Sequence, residues 1–401
     1  MQLFDTLRGS SAALDIPHDR PLSLYVCGVT PYDTTHIGHA RTFLIFDVLQ
    51  RYLRFRGAEV RYCQNTTDVD DPLFERAQRD GVNWSELARR ETEQFRADCA
   101  AMHMLAPTFT PKASDEIPGM IAIIEKLVAL GYGYARNGSV YYRASMAADY
   151  GAMPKLDYAG LLDLANQRGN NPGDPNKDDP LDFVLWQPSQ RGEPDWPSPW
   201  GPGRPGWHIE CTAMATRYLG DQIDIHGGGS DLIFPHHPSE IAQTEPVTGK
   251  SPFVRFWVHG GMARLDGEKM SKSLGNMVFV RDALKEHSAD ALRHYLMSFR
   301  YRDDFDYVKA DVIATEAKIA QFAAALRATS GNGPVFDPTD ARARFLAAMD
   351  DDLQMPQALA ALDGLAAAIV QAALVGQDVI TAQAVLRELV VAFGFWVGEQ
   401  R

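Results

Sequence analysis

The chain has 401 residues, 45% hydrophobic and 23% charged, the balance of a globular protein with core enough for two or three domains. Its formal charge of −13 argues against a broad polyanion-binding face, because neutralising phosphates takes clustered Lys and Arg. Cys27, Cys63, Cys99 and Cys211 are too scattered for a disulfide framework, and with neither a bilayer-length apolar run nor a secretory leader expected, a cytoplasmic protein without a membrane partner is anticipated.

In chain order, a β-branched and aromatic run over 22–27 reads as a strand. It ends at Gly28 and a Pro-containing turn, and amphipathic helical spacing resumes at Ile37, Leu44, Val48 and Leu49. The start of that helix carries His36, Gly38 and His39, and a helix N-terminus with a close-approach glycine suits a nucleotide phosphate. Residues 59–64 read as a second strand, followed by the polar loop 65–71. Asp68, Asp70 and Asp71 in that loop fit either ligand contacts at a strand end or a solvated turn before a helix near Pro72. Helical periodicity then covers 84–102 and 117–130, and Asn137-Gly138 signals a hairpin.

From residue 144 to 205 the composition shifts to Gly, Pro, Asp and Asn, with one helical island at 161–165, which predicts a long-looped insertion. Strands and helices resume over 207–280, and Ala- and Leu-rich 3.6-residue periodicity from about Val308 predicts a helical bundle. The expected organisation is 1–140 and 206–305 as the two halves of a catalytic domain, 141–205 as the insertion, and 306–401 as the bundle.

Two further patterns carry chemistry. Residues 204–211 and 225–240 supply a thiol, several histidines and a carboxylate, and His236 and Glu240 share one face of a helix starting near Pro235. With Cys27 and Cys211 they make a plausible zinc set. No close Cys-x-x-Cys pair announces it, so buried thiols and a capping histidine remain the alternative. Residues 268–276, with Lys269 and Lys272 three apart among Ser271, Ser273 and Gly275, suit a mobile loop closing on phosphates.

Together, His36-Ile-Gly-His39 and Lys269-Met-Ser-Lys-Ser273 resemble the paired signatures of class I aminoacyl-tRNA synthetases. The segments at Cys27-Gly28, 204–211 and 227–237 are similar to the zinc-binding segments of cysteinyl-tRNA synthetases and the related mycothiol ligases. The resemblance implies an α/β fold: a Rossmann-like catalytic domain with an insertion, plus a C-terminal α-helical bundle. It implies activation of L-cysteine by ATP with Mg2+, giving cysteinyl-adenylate, and zinc on Cys27, Cys211 and His236 with Glu240 as fourth ligand or close neighbour. His36 and His39 would stabilise the reacting phosphorus, and Lys269 and Lys272 the departing phosphates. Cys27, Gly28, Val29, Thr30, Gly38, Thr42, Asn65, Thr66, Thr67, Trp207, Gly229, Ser230, Asp231, Met262 and Ser271 would contact substrate or ATP, with Asp231 facing the cysteine ammonium and Trp207 walling the pocket.

For the acceptor, Thr30-Pro31, His39, 71–77, 196–203 and 167–172 resemble the mycothiol ligases, whose acceptor is the amine of glucosaminyl-inositol, whereas Glu240 and the departures Gln167, Asn170 and Asn171 lean away from them. With the bundle ending near Arg401, no tail that reads an anticodon is expected. Three readings stand: a small-molecule ligase, which is the expectation; a tRNA ligase with a reduced tail; and a non-catalytic paralogue. A monomer is expected.

Overall fold

The computed structural model describes residues 1–33, 35–270 and 275–397. A hairpin of β1 (Gln2–Asp5) and β2 (Ser10–Ala13) precedes β3 (Leu22–Val29), α1 (Ile37–Phe55), β4 (Val60–Thr66), α2 (Asp71–Asp80), α3 (Trp84–Ala101) and α4 (Ile117–Ala129). Then come β5 (Gly133–Arg136), β6 (Ser139–Tyr142), α5 (Tyr158–Asn166), β7 (Phe183–Gln187) and β8 (Arg204–Pro205). The chain returns through α6 (Trp207–Leu219), β9 (Ile223–Gly229), α7 (His236–Thr248), β10 (Val254–Gly260), β11 (Ala263–Leu265) and β12 (Glu268–Lys269). It ends with α8 (Val280–Glu286), α9 (Ala289–Met297), β13 (Phe305–Asp306) and the helices α10 (Lys309–Arg327), α11 (Thr339–Asp350), α12 (Met355–Leu374) and α13 (Ile380–Phe393).

The centre is a parallel sheet in the order β10-β9-β3-β4. After β3 the chain goes to β4 on one side, and later to β9 and β10 on the other, so the order reverses at β3/β9. A crevice opens outside the carboxyl ends of strands at such a switch point. Side-chain alternation divides the core between the two faces. Leu22, Leu24 and Val26 pack with α1 and the C-terminal helices, while Tyr25 and Cys27 belong to the core under α4, α6 and α7.

At Cys27-Gly28 the β3/β4 register slips: Val26 pairs with Gln64 but Val29 with Thr66. One extra residue on β3 is a β-bulge, a device that re-aims side chains beside functional sites. Gly28 is obligatory there, since a Cβ would fall 1.6 Å from the Asn65 carbonyl oxygen.

β5, β6, β7 and β8 form a separate antiparallel sheet, so this unit takes in the Asn137-Gly138 hairpin as well as 141–205. α10 to α13 form the helical bundle. Contrary to expectation, one stretch, Met355–Leu374, is apolar and long enough to cross a bilayer by length and composition. Its Ala358, Leu359, Leu362, Leu365 and Ile369 are buried in the bundle, and Asp363 lies 3.3 Å from His294 and 3.2 Å from Lys318.

Candidate active site and metal centre

The carboxyl end of the sheet opens into a cavity of about 970 Å3. Twelve of the residues expected to bind or act line it: Cys27, Gly28, Val29, Thr30, His36, Gly38, His39, Thr42, Trp207, Gly229, Asp231 and Met262.

Beside the Cys27 wall of this cavity sits a dense set of metal-binding atoms. Cys27 from the bulge, Cys211 from α6, and His236 and Glu240 one turn apart on α7 each present a ligand atom within 4.8 Å of all the others. The Cys27 and Cys211 sulfurs are 3.7 Å apart, and Glu240 Oε1 is 3.7 Å from Cys27 Sγ and 3.2 Å from His236 Nε2. All four residues are buried, and Glu240 has no exposed surface.

The chemistry of this set fits a divalent cation. Burial, and then the neighbouring Cys211 and Glu240, push the Cys27 thiol well above its usual range, while burial drives the His236 imidazole well below its own. His236 is thus in the neutral, ligating form, and its Nε2 is buried with no properly angled hydrogen-bond partner. Among the described residues the ion-pair partners of Glu240 are histidines only, so no Lys or Arg balances a carboxylate crowded by two thiols. A buried charge in such a place is stabilised by coordinating a metal.

Around the four stands a second layer of histidines that the sequence did not single out. His226 Nε2 is 3.0 Å from Glu240 Oε2, and His237 Nε2 is 3.5 Å from Cys27 Sγ. The chain continues from His237 Nδ1 to His259 Nε2 at 2.8 Å, and from His259 Nδ1 to Thr6 Oγ1 at 2.8 Å. His208 Nδ1 is 2.9 Å from His236 Nδ1. Burial lowers His208 and His259 to about 3, so both are neutral. Outer partners of this kind orient the ligands and tune their basicity. Cys27, His226, His237 and Glu240 also satisfy the geometry of a metal set. The only available signal was register: His226 lies beside Tyr25 because β9 pairs with β3.

The side of the cavity around His36 and His39 is built differently. His36 is the N-cap of α1, its Nδ1 accepting from the Gly38 and His39 amides at 3.0 and 3.3 Å. A neutral His36 therefore carries its proton on Nε2. The His36 and His39 rings stack at 3.7 Å, both partly exposed. The segment after the lysine loop is tied to this turn: Ile37 N donates to Val278 O, and Val280 N to Thr35 O, each at 2.9 Å. Ser271, Lys272 and the Lys269 side chain lie outside the described residues.

Trp207 stacks on His236 with ring centroids 4.3 Å apart, and Asp231 follows Gly229, where a Cβ would fall 2.5 Å from Asp231 Oδ1. From the insertion, Arg168 donates to the carbonyls of Asp231 and Phe234. Asn65, Thr66, Thr67 and Ser230 do not line the large cavity. Asn65 instead accepts from Gly28 N at 2.8 Å and donates to Thr67 Oγ1 at 3.1 Å, supporting the bulge from behind. Asn65 and Thr66 line a second cavity of about 350 Å3, separated from the first by Phe43, which lines both. Cys63 and Cys99 stay apart from the metal cluster, and burial raises both thiols.

Comparison with known proteins places these features in context. Residues 14–317 match the family of class I (C) tRNA synthetase catalytic domains. The chain is 47% identical over 350 residues to the L-cysteine:1D-myo-inositol 2-amino-2-deoxy-alpha-D-glucopyranoside ligase of Mycolicibacterium vanbaalenii, covering 86% of this chain and 80% of that one. It is 41% identical over 372 residues to the cysteine–tRNA ligase of Cronobacter sakazakii, covering 91% and 78%. The Mycobacterium tuberculosis methionyl-tRNA synthetase in complex with methionyl-adenylate has a similar fold, with a TM-score of 0.64 at 17% identity over 93% of this chain and 89% of that one.

Proposed function

The chain belongs to the class I (C) tRNA synthetase family, and from that premise we propose that it is an AMP-forming ligase which activates L-cysteine with Mg-ATP and transfers it to the amine of glucosaminyl-inositol. The observation that carries cysteine activation is the buried Cys27, Cys211, His236 and Glu240 set beside the cavity that also holds His36 and His39. Bound zinc supplies a soft site for the substrate thiolate, which separates cysteine from serine where an apolar pocket could not.

The chain's own residues do the rest. Trp207, stacked on His236, walls the cysteine pocket, and Asp231 holds the ammonium group. This leaves the cysteine carboxylate to attack the α-phosphate. The Nε2–H of His36 and the imidazole of His39 donate to oxygens that gain charge in the transition state, with pyrophosphate leaving toward the loop of Lys269 and Lys272. The α1 N-terminus adds its partial positive charge.

For the acceptor, Thr30-Pro31 and His39 resemble the aminosugar ligases, and the relative of that name is the more similar of the two ligases compared. Cysteine–tRNA ligase is the second reading, favoured by Glu240, with Gln167, Asn170 and Asn171 departing from the aminosugar-ligase pattern. The test offers purified protein cysteine and ATP with either glucosaminyl-inositol or cysteine tRNA, and follows AMP release and product mass. An amide of the aminosugar is expected. Efficient tRNA charging without that amide overturns the acceptor assignment.

A further inference from the structure

Five carboxylates line the large cavity: Asp33, Asp70, Asp71, Asp174 and Asp231. Four are committed elsewhere. Asp33 lies 3.8 Å from Arg76, Asp71 pairs with Arg204, and Asp174 accepts from Tyr141 and from the Asn176 amide. Asp231 is assigned to the cysteine ammonium. Asp70 has no Lys or Arg within ion-pair distance among the described residues. Its Oδ2 accepts from Thr30 Oγ1 at 3.0 Å, and its Oδ1 caps α2 by accepting from Asp71 N at 2.9 Å.

Resting on the amine-acceptor reading above, we propose that Asp70 is the general base that takes the proton from the acceptor amine as it attacks the cysteinyl-adenylate. The amine arrives uncharged. Its nitrogen bonds to the carbonyl carbon, the bond from that carbon to the phosphate oxygen breaks, and AMP leaves with the electron pair. The proton made acidic on nitrogen passes to the Asp70 carboxylate, leaving a neutral amide, and then to solvent.

The surroundings suit the task. Burial raises Asp70 to about 6, with Asp71 adding to it and the Thr30 hydroxyl and Arg204 opposing. Glu210 on α6 is also close enough to interact with it electrostatically. Such a carboxyl is ionised at neutral pH yet more basic than an exposed aspartate, which is where general bases operate well. The insertion residues Arg168, Asn170, Asn171 and Lys177 line the same cavity, with Lys177 donating to Asn170 Oδ1 at 2.5 Å.

Asp70→Asn separates base from cap, because Asn caps a helix about as well as Asp, and Asp70→Ser provides a second capping residue without a carboxylate. Cysteine-dependent ATP–pyrophosphate exchange and single-turnover transfer to glucosaminyl-inositol are measured for each across about pH 5 to 9. Exchange is expected within about threefold of wild type, with transfer slowed about 10²–10⁴-fold. The wild-type ionisation near 6 should vanish from the transfer profile, leaving only that of the amine itself. Transfer at the wild-type rate with an unchanged profile, or equal loss of exchange and transfer, overturns the proposal and leaves Asp70 a helix cap. A wild-type protein that forms adenylate but charges only tRNA overturns the acceptor reading before any variant is made.

Discussion

The two halves of the site handle their charges in opposite ways. On the metal side, thiols, a carboxylate and five histidines are packed into the core, and imidazoles contact one another or Glu240 at about hydrogen-bond distance. On the other side, the partly exposed His36 and His39 stand at the start of α1, and the segment at Val278 and Val280 is hydrogen-bonded to the same turn. Telling sulfur from oxygen needs ligands fixed before the substrate arrives, because the discrimination lies in coordination geometry. Stabilising a transferring phosphorus needs donors that meet charge only as it develops, a role that suits the helix end carrying His36 and His39.

The sharpest way to break this contrast is to delete a ligand. Cys211→Ala should empty the site of zinc by metal analysis and erase cysteine-over-serine preference by on the order of 10⁴-fold, the scale a recognised polar handle provides. Retained zinc and preference would place recognition elsewhere.

Next is His39→Ala, which should lower kcat of cysteine-dependent exchange by about 10²–10³ while leaving zinc content unchanged. A fall in zinc would mean that the halves are not independent. A smaller effect is expected from His226→Ala, which frees Glu240 Oε2: zinc affinity should weaken about 10–100-fold in a chelator competition, with the exchange rate at saturating zinc little altered. Unchanged affinity would remove His226 from the ligand-orienting layer. The smallest effect is on stability alone. Gly28→Ala forces a Cβ into the Asn65 carbonyl and should cost about 1–3 kcal/mol in a urea titration, and an unchanged midpoint would mean that the bulge yields without strain.

How much of this was legible depends on whether a contact is local in the chain. The start of α1 at Ile37 and the shared face of His236 and Glu240 follow from helical spacing, and both are found. The hairpin at Asn137-Gly138 follows from turn chemistry and is also found. His226, His237 and His259 could not be read in the same way. His226 and His259 reach the cluster through strand order and parallel register, which the spacing of no one segment records, whereas His237 shares α7 with Glu240 at i,i+3 and only its approach to Cys27 is non-local. Asn65 shows a different limit: it was expected in the loop after the strand, but it and Thr66 belong to β4, and its side chain turns to the Gly28 amide at the bulge. The apolar character of Met355–Leu374 was underread because its alanines are only mildly hydrophobic one by one.

The bulge at Cys27-Gly28 acts as a parity bit between the two halves. Strand side chains alternate, so a single added residue reverses which face the following positions meet, and Val29 rejoins the α1 side already occupied by Val26. The thiol and the histidine turn are therefore held in phase by a residue count. Removing the extra residue of the bulge would leave the helix and lysine signatures legible letter by letter while reversing the face that Cys27 or Val29 meets. Two intact motifs in a related chain are thus evidence of a working site only if the number of residues between them is right.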